Sequence, residues 1–112
     1  TAPTGCAHDR TRGTMITLKV YPADGQPPET RSFPCDLIKI GTRYGFGLHI
    51  LRDDKVSRIH ASLERLGRGS YLIWDCGSIN GTAVNGKRVN SASLTTGDEI
   101  QVGNTRILIE EP

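Results

Sequence analysis

The chain has 112 residues, with 14 Lys+Arg against 12 Asp+Glu and a formal net charge of +2. One domain of this length buries a real core without staples, and it is short for a large multi-step enzyme. So mild a charge does not demand a nucleic-acid partner, so any electrostatic function has to come from local clustering.

Residues 1–13, TAPTGCAHDRTRG, are small and polar without periodicity; the expectation is a flexible tail or non-native remnant, with the folded domain over 14–112. Met15 to Tyr21 alternates and is β-branched, which predicts a strand. Pro22 to Pro28 predicts a loop. Leu37 to Ile40 predicts a second strand closed by Gly41, and Leu48 to Leu51 is a short apolar patch. His60 to Leu66 alternates again before a turn at Gly67-Arg68-Gly69, and Tyr71 to Trp74 predicts a buried strand. Asn80-Gly81 and Asn85-Gly86 are turn dipeptides around a short strand, Thr82 to Val84. Glu99 to Val102 and Thr105 to Ile109 form the last pair, joined by a tight Gly103-Asn104 turn. No dozen residues show helical spacing, so the fold class expected is all-β, a sandwich or barrel with antiparallel pairing between sequential hairpins.

Further classes drop out on simple grounds. No apolar run approaches the roughly 18 residues of a membrane span, and the first thirty residues lack the apolar core of a secretory signal. Cys6, Cys35 and Cys76 are odd in number, widely spaced and without a C-x-x-C, which predicts reduced thiols, no zinc site and an intracellular setting, cytoplasmic or nuclear. His8 near Cys6 has no partner ligands at metal-site spacing. Neither a metal nor a cofactor is expected.

Polar residues concentrate in three turns: 41–47, 53–60 and 77–82. Between Lys39 and Arg68 there are seven basic and three acidic residues, a local excess twice that of the chain as a whole. Loops at one end of a sandwich converge on a common surface. An Arg, a Ser and an Asn on neighbouring loops suit a phosphate: the guanidinium fork matches phosphate oxygens, a hydroxyl and backbone N–H groups complete the shell, and an amide reads an attached main chain. Taken singly, Asn80-Gly81 is equally a plain turn and Ser57 a plain loop hydroxyl.

Four blocks, in order, resemble the forkhead-associated (FHA) domain. They are Ile40-Gly41-Thr42-Arg43, then Val56-Ser57-Arg58-Ile59-His60-Ala61, then Asp75 to Gly86 (DCGSINGTAVNG), then Leu94 with Gly97 to Gly103 (GDEIQVG). The resemblance runs from about Met15 to Ile109. It implies an antiparallel β-sandwich of about eleven strands that reads phosphothreonine peptides, made by a Ser/Thr kinase, through loops at one end. By the same resemblance Arg43 and Ser57 bind phosphate, Arg58 and Lys55 add cationic contacts, and Asn80 grips the peptide backbone with Ile79 and Ser78 beside it. Gly41, His60, Gly81 and Thr82 fall at scaffold positions, and Cys76 at a core position. The resemblance further implies a module of a larger protein, monomeric when isolated.

Two departures stand out. Thr42 intervenes between Gly41 and Arg43, so Arg43 is either displaced or re-aimed by a bulge. Ile79 replaces the small polar residue that many members carry, and either keeps the threonine-methyl pocket apolar or blocks it.

Four other readings compete. The first is a scaffold of the same fold that binds its partner independently of phosphate. The second is an enzyme built on Ser57 and His60, which lacks a nucleophile elbow or third acid. The third is a nucleic-acid binder, against which stand only 5% aromatic residues and no basic–aromatic platform. The fourth adds a switch in which phosphorylated Thr4, Thr11 or Thr14 docks on the site. Tyr44 and Phe46 either line the peptide groove or pack their loop on the sandwich.

Overall fold

The computed structural model describes residues 15–43 and 47–110. The expected tail, with Cys6, His8 and the three threonines, and the aromatic pair Tyr44 and Phe46 lie outside those residues. Eleven strands and no helix make up the described chain: β1 Ile16–Tyr21, β2 Glu29–Phe33, β3 Leu37–Gly41, β4 Leu48–His49, β5 Ala61–Gly67, β6 Ser70–Asp75, β7 Thr82–Val84, β8 Lys87–Val89, β9 Ser91–Thr95, β10 Glu99–Val102 and β11 Thr105–Glu110. They form two sheets, in the orders β2-β1-β11-β10-β7-β8 and β4-β3-β5-β6-β9. The all-β sandwich is therefore the fold.

The core follows from the pleat. Side chains two apart share a face, so Ile16 and Leu18 of β1 meet Ile107 and Ile109 of β11 and Ile100 and Val102 of β10 on one inner surface. Ile38 and Ile40, Ala61 and Leu63, and Tyr71 and Ile73 supply the other surface. Hydrophobic burial between these two faces is the main force holding the sheets together.

Pairing is antiparallel with one exception, β3 with β4, which run parallel through Ile40↔Leu48 and Gly41↔His49. The apolar patch Leu48 to Leu51 yields this two-residue strand: Leu48 and Ile50 turn inward while Leu51 faces solvent. The Asn85-Gly86 and Gly103-Asn104 turns close hairpins between Val84 and Lys87 and between Val102 and Thr105. At Asn85-Gly86 both turn residues have positive φ, 50° and 86°, the primed-turn geometry that Asn-Gly favours.

The expectation of three reduced thiols does not hold. Cys35 is buried and disulfide-bonded, to a partner outside the described residues. Cys76 is a free, half-buried thiol within 3.2 Å of the Ser62 hydroxyl. No helix of the described residues is long and apolar enough to cross a membrane.

Candidate functional site

The strands end so that residues 42–43 and loops 50–60 and 76–81 leave the same end of the sandwich. Loop 50–60 lies in the middle and is tied to both neighbours. On one side the Thr42 N–H donates to the Ser57 carbonyl at 3.2 Å and the Arg43 N–H to the Arg58 carbonyl at 3.1 Å. On the other, the Ile79 N–H donates to Ser57 Oγ at 3.1 Å and Asn80 Nδ2 to the Lys55 carbonyl at 2.9 Å.

Beneath these contacts sits His60, fully buried. Its Nδ1 accepts the Ser57 backbone N–H at 2.9 Å, which places the ring proton on Nε2, and that atom donates to the Gly81 carbonyl at 2.7 Å. One imidazole thus fixes the spacing of the Ser57 and Asn80 loops. Both ring nitrogens are thereby engaged, so neither is left to act as a base toward the Ser57 hydroxyl. Gly41 is required for a different reason: a Cβ there would lie 2.1 Å from the Arg58 carbonyl oxygen and 2.9 Å from that of Ser57. The loop therefore rests directly on the β3 backbone.

Loop 76–81 is organised by Asp75. Its carboxylate accepts the Gly77 and Ser78 N–H groups, both at 2.9 Å, the Thr82 hydroxyl at 2.8 Å and the Ser78 hydroxyl. Burial alone would raise the Asp75 pKa; the bonds from Ser78, Thr82 and Gly77 together outweigh it and hold the carboxyl below its usual value of 3.8. The Ser78 hydroxyl also accepts the Gly81 N–H at 2.9 Å, so it is committed to bracing its own loop. Gly81 turns the chain at φ 87°. Asp53 does comparable work for loop 50–60. This buried carboxylate accepts the Lys55 N–H at 3.1 Å, the Asn104 N–H at 2.8 Å and the Thr105 hydroxyl at 2.7 Å.

Several donors are left facing outward. The Ser57 hydroxyl oxygen accepts from the Ile79 N–H, and neither its proton nor the Arg58 N–H has an acceptor among the described residues. Arg43 and Arg58 line one cleft of about 160 Å³ with Lys39, Gly41 and Ile59. The residue inserted at Thr42 is thus accommodated: both Thr42 and Arg43 bond to the central loop, and Arg43 stays anchored beside Arg58. Asn80 keeps its side-chain oxygen for a further donor, and Lys55 is exposed beside it. Ile79 is 86% exposed and blocks nothing inside the loop. The expected residues therefore surround one surface, with Gly41, His60, Gly81 and Thr82 as its frame. Sequence reasoning missed the organising roles of Asp53 and Asp75, although Asp-x-Gly and Asp-x-Lys are the local signals of a carboxylate folding back on its own backbone. Among the described residues no group of His, Cys, Asp and Glu is arranged to hold a metal.

A family model for the FHA domain matches residues 31–103. The chain belongs to the FHA domain family. Among curated relatives, the glycogen accumulation regulator GarA of Mycolicibacterium smegmatis is 48% identical over 58 residues, 52% of this chain and 36% of the relative. An oxoglutarate dehydrogenase inhibitor of Corynebacterium efficiens is 48% identical over 58 residues, 52% of this chain and 40% of the relative. The matched stretch thus spans well under half the length of either protein. Among solved FHA domains, one from work on phosphothreonine-dependent FHA interactions superposes with a TM-score of 0.72 at 29% identity, covering 88% of this chain and 98% of that one. The FhaA FHA domain, complexed with the intracellular domain of Rv3910, gives 0.70 at 29% identity, covering 85% and 99%.

Proposed function

We propose that this FHA domain is a non-catalytic module that binds phosphothreonine peptides and so makes a protein–protein interaction depend on a Ser/Thr kinase, inside the cell. The observation that carries the reading is a pair of donors without an acceptor among the described residues, the Ser57 hydroxyl and the Arg58 N–H, beside a cleft lined by the cationic residues Arg43 and Arg58. A phosphothreonine brings about −1.5 to −2 charges at neutral pH and several acceptor oxygens. Charge-assisted bonds of this kind contribute roughly 1.5–3 kcal/mol each. Asn80, whose amide is half spent on Lys55, offers its oxygen to the peptide main chain. Exposed Ile79 gives the threonine methyl an apolar neighbour. A short peptide buries little area, so affinity is micromolar and falls with added salt.

The test is the partner interaction before and after phosphatase treatment, in the natural sequence and in Arg43→Ala. Loss of binding in both cases is expected. Affinity retained after either treatment would instead support a scaffold that ignores phosphate.

A further inference from the structure

The six-stranded sheet leaves its β2 edge uncovered. β2 pairs with β1 alone, and Glu29, Thr30, Arg31 and Ser32 are all exposed. Glu29 and Arg31 border an open crevice of about 450 Å³ that reaches across to Leu48 and His49 of β4. Neither charge is in an ion pair: those among the described residues join Arg52 to Asp24 and Arg106 to Glu99. A free strand edge is a template for another strand, and the charges it carries decide which strands it admits.

The β2 sequence, Glu-Thr-Arg-Ser-Phe, is complementary to itself. When two copies run antiparallel and are centred on Thr30, Glu29 of each lies opposite Arg31 of the other, and Thr30 faces Thr30. Slipping the centre to either neighbour sets Glu29 against Glu29 or Arg31 against Arg31, and like charges directly opposite are destabilising. The other edges lack this match. β8, Lys-Arg-Val, centred on itself opposes Arg88 to Arg88. β9, Ser-Ala-Ser-Leu-Thr, has no charge to fix a register, and β4 has only two residues. Pro27 and Pro28, just before β2, have no N–H with which to extend a ladder beyond the strand.

We propose that β2 is a self-association edge, at which a second copy of this chain adds antiparallel and joins two six-stranded sheets into one across a two-fold axis at Thr30. One five-residue edge buries far less than the roughly 1,200 Å² of a stable interface, so the isolated chain stays monomeric when dilute and pairs at high local concentration. Antiparallel pairing turns the loop ends of the two copies in opposite directions. Given the phosphothreonine reading, on which this one consequence rests, paired copies link two phosphorylated partners instead of gripping one.

The experiment is sedimentation equilibrium of the whole chain, natural and as Glu29→Arg, Arg31→Glu and the double variant that exchanges the two. The natural chain should associate with a dissociation constant of about 1 mM, and more weakly in added salt. Each single variant sets like charge against like and should associate about tenfold more weakly. An equal mixture of the two single variants should recover the natural strength, because one then presents Arg-Thr-Arg and the other Glu-Thr-Glu. The double variant restores the self-match at unchanged composition and should recover it as well, which separates charge matching from damage to the fold. Amide shifts that grow with concentration should centre on residues 29–32. A natural chain that stays monomeric at that concentration, single variants that associate as strongly as the natural chain, a mixture no stronger than its components, or shifts centred on another strand each overturn the proposal. None of the variants touches Arg43, Ser57 or Asn80, so phosphothreonine-peptide affinity should be the same in all of them. Failure of peptide binding would therefore leave the self-association result standing, and a monomer would leave the phosphothreonine reading standing.

Discussion

Replacing His60 with alanine removes both hydrogen bonds that space the Ser57 and Asn80 loops. The Ser57 N–H loses its acceptor at 2.9 Å and the Gly81 carbonyl its donor at 2.7 Å. Each buried group left unpaired costs about 1–3 kcal/mol, and loss of the ring from a fully buried site adds a cavity. The expected destabilisation is about 3–5 kcal/mol, a large share of the roughly 5–15 kcal/mol that holds a domain folded. Trp74 is the chain's one tryptophan and pairs in β6 with Ser62 and Ser91, so its fluorescence in a urea titration reports the transition. His60→Gln keeps one acceptor and one donor on a planar group and should recover part of the loss. A change below about 1 kcal/mol in His60→Ala would refute the bracing role, because no orphaned pair costs so little.

Three further outcomes follow from the same contacts. Gly41→Ala forces a methyl to 2.1 Å from the Arg58 carbonyl, so the central loop must move; a chemical-shift map should show displacement over 56–60, and a silent map would contradict the packing. Asp53→Ala strands the Lys55 and Asn104 N–H groups and the Thr105 hydroxyl, with an expected loss of about 2–4 kcal/mol in denaturant melts. Asp75, held below 3.8, binds fewer protons folded than unfolded, so its contribution is present above about pH 4 and is lost as pH falls through the folded value. Asp75→Ala should therefore lower stability at neutral pH and flatten the acid limb, and an unchanged acid limb would exclude the role given to its carboxylate.

The central strands were legible in the sequence because they alternate or are apolar: β1, β3, β5, β6, β10 and β11 each place two or more side chains in the core. β2, β8 and β9 were not, and all three are sheet edges. β2 buries Phe33 alone, β9 buries Leu94 alone, and β8 buries nothing fully, so none carries a period-two signal. The expected count of eleven came from family resemblance and not from periodicity. The loops were legible as loops, and Arg43, Ser57 and Asn80 as their polar cargo. What joins them was not, since the links from Asp53 to Asn104 and Thr105 and from His60 to Gly81 cross 51, 52 and 21 residues of chain. Local spacing carries no record of such pairs. The disulfide at Cys35 escaped for a related reason: an odd cysteine count argues against a framework without forbidding one bridge.

The most direct test of the account is a titration of the chain with an oriented phosphothreonine peptide library, run beside matched phosphoserine and unphosphorylated peptides. Micromolar binding of phosphothreonine, weaker binding of phosphoserine for want of the methyl beside Ile79, and no binding of the unphosphorylated set is the predicted result. Equal binding of all three would contradict it.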